Sequence, residues 1–176
     1  ASVTKITRQL LERGLIKEVA QQASTGGRRA ISLTTEVEPF HSVAVRLGRD
    51  YIQISLHDLG GRELAFLQQD LNYSDQSDLT QGLVNNLKAF IAEHQPKIDQ
   101  LIAIGVTLPG LVNPTTGVVE YMPNTDIDNL ALSDIIRDTF HVACFVGNDV
   151  RGMALAEHYF GASKDSQDSI LVSVHR

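Results

Sequence analysis

One cysteine, Cys144, is all that these 176 residues contain, which excludes an internal disulfide and a cysteine-built zinc cluster within this segment and suits a reducing cytoplasm. No apolar run approaches the ~18 residues that a membrane-spanning helix requires. Ala1 onward lacks the charged, then apolar, then small-residue order of a secretory leader, a pattern that a start upstream of Ala1 would hide. Repeats and low-complexity tracts are absent. Positive charge is scarce too: 15 Lys and Arg face 21 Asp and Glu, for a net of −6. What is present is 43% hydrophobic, ordinary for a globular protein and enough for one full core plus a small appendage.

The scarce cations are unevenly placed. Lys5, Arg8, Arg13, Lys17, Arg28 and Arg29 oppose only Glu12 and Glu18, so the first 30 residues carry +4 and the other 146 carry −10. An acidic body repels nucleic acid while a small basic appendage attracts phosphate, so the asymmetry points to a DNA-binding piece joined to a different domain. Val3, Ile6, Leu10 and Leu11 fall at helical spacing, with Ser2 as N-cap and Gly14 as terminator. Ser2, Thr4, Lys5 and Arg8 then form a face of hydroxyls and cations suited to phosphates and base edges.

Leu15, Ile16 and Val19 begin a strand, 21–29 is a polar loop, and a second strand follows over 30–33. The order is that of a recognition helix and wing, with Gly26, Gly27, Arg28 and Arg29 at the hairpin tip against the DNA backbone. A solvated amphipathic helix with a surface turn is the plainer alternative. A helix-turn-helix also needs earlier helices over Val3, Ile6 and Leu10, so residues upstream of Ala1 are expected.

The stretch 34–40, with Glu36, Glu38 and Pro39, breaks both periodicities and sets a boundary between an incomplete winged helix over 1–36 and a lobe over 37–176. In the lobe, alternation at Val43, Val45 and Leu47, at Ile52, Ile54 and Leu56, and at Leu64 and Phe66 predicts three antiparallel strands. Leu79, Leu83, Leu87, Phe90 and Ile91 line a helix ending before Pro96. The continuous apolar run 101–106 predicts a strand buried on both faces. Then come a loop and hairpin over 108–123, a helix over 132–140, a strand over 142–146, a helix over 150–160 and a last strand over 170–174.

The fold class is therefore α/β, and the order is that of one lobe of the actin-like, ribonuclease-H-like fold. The motifs LPGLVNPTTGVVEYMPN at 108–124 and GNDVRGMALAEHYFGA at 147–162 resemble the ROK family of sugar kinases and repressors. With ASVTKITRQLLERGLIKE and STGGRRAISL before them, the resemblance runs through the whole chain and is to the family's DNA-binding repressors. It implies that Asn124, Asn148 and Asp149 bond sugar hydroxyls, that Pro109 and Gly110 shape the nearby loop, and that Asp149 matches the base of the kinases. By residue type and position alone, Asp149 reads as a helix cap and Asn124 as a turn former.

ROK kinases carry Asp-x-Gly-Gly-Thr after the first strand. Here the stretch is Arg46, Leu47, Gly48, Arg49 and Asp50, and bulky cations in that turn remove the arrangement phosphoryl transfer needs, so no catalytic residue is assigned. Arg46 and Arg49 are either surface arginines or contacts for a sugar phosphate. No metal ligand is assigned in this segment; the resemblance implies zinc in a part of the protein beyond Arg176. It further implies a cytoplasmic homo-oligomer whose partners are operator DNA and an amino-sugar phosphate effector, with N-acetylglucosamine 6-phosphate as inducer. An ATP-dependent hexosamine or glucose kinase is the alternative, and a sensor whose hairpin meets a protein is a third.

Overall fold

The computed structural model describes residues 2–19, 32–164 and 166–173, so the expected wing tip at Gly26, Gly27, Arg28 and Arg29 lies outside the described residues. Helix α1 spans Val3–Glu12. Gly14, at φ +65°, ends it: its N–H reaches the Leu11 carbonyl at 3.0 Å and the Leu15 N–H reaches Leu10 at 3.0 Å, the two bonds that close a helix through a left-handed residue. Ser2 occupies the N-cap position, but its hydroxyl makes no capping bond. Its carbonyl accepts from Lys5 at 2.9 Å instead. The start of the apolar stripe is uncovered, with Val3 80% and Ile6 48% exposed, while Leu10 and Leu11 are half-buried.

Strand β1, Ile16–Val19, pairs antiparallel with β2, Ser32–Thr35, in the register Ile16 with Thr35. Two bonds hold Glu36, just before the lobe, against this strand pair. The Glu36 N–H donates to the Leu15 carbonyl at 3.0 Å, and Lys17 Nζ meets Glu36 Oε1 at 3.0 Å. Lys17 holds the Glu36 carboxyl below its ordinary range, chiefly through that hydrogen bond.

The lobe is built on β3 (Phe40–Leu47), β4 (Tyr51–Asp58), β5 (Glu63–Asp70), β6 (Gln100–Leu108) and β10 (Ala143–Asn148). They lie in the order β10-β6-β3-β4-β5. The first three strands are antiparallel as their short turns require, while β6 and β10 run parallel to β3 after helical crossovers. Helix α2, Gln76–His94, is capped by Asp75, which accepts from Asp78. It buries Leu79, Leu83, Leu87 and Phe90 in the cluster that holds Val43, Val45, Ile52, Ile54, Ile104 and Val106. Helix α3, Leu132–Phe140, adds Leu132 and Ile136 to this core.

Two sequence expectations change here. Strand β6 is fully buried on one face only: Ile104, Val106 and Leu108 are buried, whereas Ala103, Gly105 and Thr107 on the other face are half-buried. Helices α2 and α3 supply the covering layer on one side, while α4 (Asp149–Phe160) touches the other side at β6 and β10. The strand expected over 170–174 does not form in 170–173. Ile170 is 94% exposed, and an apolar run becomes a strand only where a neighbour offers a hydrogen-bonded ladder. The loop and hairpin expected over 108–123 is observed as β7 (Leu111–Val112) and β8 (Val119–Tyr121), joined by a third strand, β9 (Asp128–Leu130), that alternation had not indicated.

Candidate functional site

The parallel strands β3, β6 and β10 end together, and the loops leaving them surround one cavity of about 410 Å³. Its wall is formed by Arg46, the turn Gly48 to Asp50, Tyr51, Pro109 and Asp149. A crevice at the carboxyl ends of such strands is the usual ligand position in open α/β sheets.

The turn is tightly held. The Gly48 N–H donates to the Tyr51 carbonyl at 2.9 Å, the Leu71 N–H donates to the Asp50 carbonyl at 2.9 Å, and the Tyr73 hydroxyl donates to the Gly48 carbonyl. Burial, reinforced by the negative charge of Asp50 and by Tyr51, pushes the Tyr73 phenol up to about 12, so it stays a donor. A Cβ on Gly48 would fall inside the Tyr51 ring, which stands against the backbone there. Tyr51 and Tyr73 are site residues that sequence reasoning missed. Tyr51 could have been found from its place beside the altered turn; Tyr73 acts across 25 positions, a separation no local pattern reveals.

Next to Asp149, Asn148 caps α4 and lines the neighbouring concavity, not this cavity. Its Oδ1 accepts from the Arg151 N–H at 3.0 Å, and its Nδ2 donates to the Gly110 carbonyl at 2.9 Å. The cap therefore belongs to Asn148 and not to Asp149, which is the first helical residue and whose Oδ1 accepts from the Val150 N–H at 2.9 Å. Asp149 is 8% exposed, at the positive end of the helix dipole. Gly110 is required because a Cβ there would lie 2.6 Å from the Tyr121 carbonyl oxygen. Asn124 is exposed, at φ +63°, and shapes a turn; it lines neither this cavity nor the next. Pro109 and Asp149 thus line this cavity, Asn148 faces the neighbouring concavity while tied to Gly110 beside it, and Asn124 stands apart.

Arg46 also borders a second concavity of about 490 Å³ on the open face of the sheet, with Gln53, Thr107, Phe145, Arg151 and Leu155. Helix α4 comes close to the sheet here through Gly152, where a Cβ would meet Thr107 Cγ2 at 2.9 Å. Arg151 was also missed. Its place one turn from Asn148 was the available signal.

At the other end of the chain, Ser2, Thr4, Lys5 and Arg8 are all exposed and share one surface of α1 with Gln9 and Glu12. Burial raises the Cys144 thiol above its ordinary range, which keeps it protonated and unreactive. Among the described residues no three His, Cys, Asp or Glu side chains are grouped to hold a metal. No helix among them is long and apolar enough to cross a membrane.

A model of the ROK family matches residues 42–176. Over all 176 residues the chain is 56% identical to proteins of two Escherichia coli strains, the DNA-binding transcriptional dual regulator NagC and the N-acetylglucosamine repressor, and covers 43% of each. The crystal structure of a ROK family transcriptional regulator, a homolog of the E. coli MLC protein, superposes with a TM-score of 0.81 at 38% identity, over 92% of this chain and 41% of that one. The ROK hexokinase of Thermus thermophilus has the same fold, with a TM-score of 0.60 at 24% identity over 70% of this chain and 40% of its own. The chain spans less than half the length of the curated relatives it matches.

Proposed function

The chain belongs to the ROK family, and from that premise we propose that it is part of a cytoplasmic DNA-binding transcriptional repressor of N-acetylglucosamine and amino-sugar utilisation genes, released by N-acetylglucosamine 6-phosphate. The observation that carries this reading is the 56% identity to N-acetylglucosamine repressors over the whole chain, the basic α1 segment included. Residues 1–36 are the recognition helix and wing, and residues 37–176 are one lobe of the sugar-binding domain. In this reading Ser2, Thr4, Lys5 and Arg8 face the operator with Gly26, Gly27, Arg28 and Arg29, and Asp149 and Asn148 meet the sugar with Pro109 and Gly110 behind them. Asn124, outside the cavity, reaches the sugar only if the 123–125 turn closes over it. Zinc belongs to the part of the protein that follows these residues.

Release requires that the effector bind two domain arrangements with different affinity. A two-fold homo-oligomer reading a pseudo-palindrome supplies such arrangements, since a shift between subunits moves the paired helices out of register with the half-sites. An operator titration on the full-length protein, with and without N-acetylglucosamine 6-phosphate, tests it; an operator affinity that the sugar phosphate leaves unchanged removes the inducer.

A kinase of the same family is the competing reading, favoured by a buried Asp149 at a strand end. Arg46, Arg49 and the Tyr51 ring over Gly48 speak against it, because a nucleotide's phosphates need close approach to that backbone. ATP-dependent phosphorylation of an amino sugar at ordinary enzymatic rates would establish it.

A further inference from the structure

The end of β3 and the turn after it carry two guanidinium groups, Arg46 and Arg49, without partners. Among the described residues every ion pair is made by other cations, and neither the Arg46 nor the Arg49 side chain has a hydrogen bond. Arg46 is half-buried while Arg49 is exposed. A cation that is partly removed from water and given no counter-charge is in a costly state that a bound anion relieves. The fork of an arginine matches the oxygens of a phosphate two at a time.

Three features of the surroundings narrow the anion. The turn is fixed by its bonds to Tyr51, Leu71 and Tyr73, so little ordering is needed when a ligand arrives. At Gly48 the Tyr51 ring stands against the main chain, so an anion here is met by side chains and not by backbone amides. The same cavity of about 410 Å³ has Asp149 on its other wall, a carboxylate that accepts from hydroxyls and repels a second anion. The complementary ligand has a phosphate at one end and hydroxyl donors at the other.

We propose that Arg46 and Arg49 are the phosphate-binding pair of this cavity and set the preference for a hexose monophosphate over the free sugar. This rests on the reading of the protein as a sugar-phosphate-responsive repressor. It adds which side chains read the phosphate.

The test is calorimetric titration of the full-length protein with N-acetylglucosamine 6-phosphate and with N-acetylglucosamine. For the wild type, the phosphorylated sugar binds more tightly. In Arg46→Gln and in Arg49→Gln, the ratio of the two affinities falls roughly ten- to hundredfold, as for loss of a charge-assisted hydrogen bond, and Lys at either position restores part of it. Arg49 is exposed, so its substitution bears on the ratio with little chance of disturbing folding. If both Gln variants keep the wild-type ratio within about twofold, the assignment of the phosphate is overturned and the effector reading stands. A wild-type protein that binds no sugar phosphate overturns both.

Discussion

Tyr73 shows how one side chain sets the state of a distant turn. Its hydroxyl donates to the Gly48 carbonyl, and burial with Asp50 and Tyr51 nearby raises its phenol to about 12. Because the folded value lies above the ordinary value of 10.0, the neutral form is favoured by folding. That stability is fully present below about pH 10 and is lost as pH rises through the folded value. In an alkaline titration read by tyrosinate absorbance, one of the four tyrosines should ionise late, and Tyr73→Phe should remove that late phase. The same substitution should lower unfolding stability by about 1 kcal/mol through the unmade hydrogen bond to Gly48, read as a shifted urea midpoint. A titration in which the late phase survives Tyr73→Phe assigns it to another tyrosine.

Among the elements, those with long regular periods were legible. Leu79, Leu83 and Leu87 at helical spacing placed α2, and the alternation through β3 and β4 placed their buried faces, because a covering layer enforces the period on the sequence. Three-residue β9 carries too few positions for any period, and its pairing with β8 is a tertiary event. The run 170–173 has the composition of a strand, yet no strand forms over it and Ile170 is exposed. The site was legible in part for the same reason: Asn148 and Asp149 announce a strand-to-helix junction, but which of them caps depends on one residue of phase. Asn148 takes the cap and also ties α4 to the Gly110 loop. Asn148→Ala should therefore cost about 1–2 kcal/mol in urea unfolding. Asn148→Asp, which keeps the cap acceptor and loses the donor to Gly110, should cost less. Equal losses in the two variants would show that the tether, and not the cap, dominates.

For the whole molecule, the distribution of charge matters more than its total. A net charge of −6 argues against DNA at long range, but at physiological ionic strength fields decay over roughly 8 Å. Contact is therefore decided by the local surface. On α1 that surface holds Lys5 and Arg8, both exposed and outside every ion pair of the described residues. Each phosphate neutralised releases counterions, so operator affinity should fall steeply with salt, and Lys5→Ala or Arg8→Ala should each flatten the log–log slope by about 1 where the side chain meets a phosphate. Removing negative charge from the lobe, as in Asp138→Asn on α3, should leave the slope as it is, because that carboxylate releases no DNA counterion. Fluorescence anisotropy of labelled operator with the full-length protein, across a salt series, separates the two. A slope indifferent to Lys5 and Arg8 would mean that α1 does not face the DNA, and that the basic segment serves another partner.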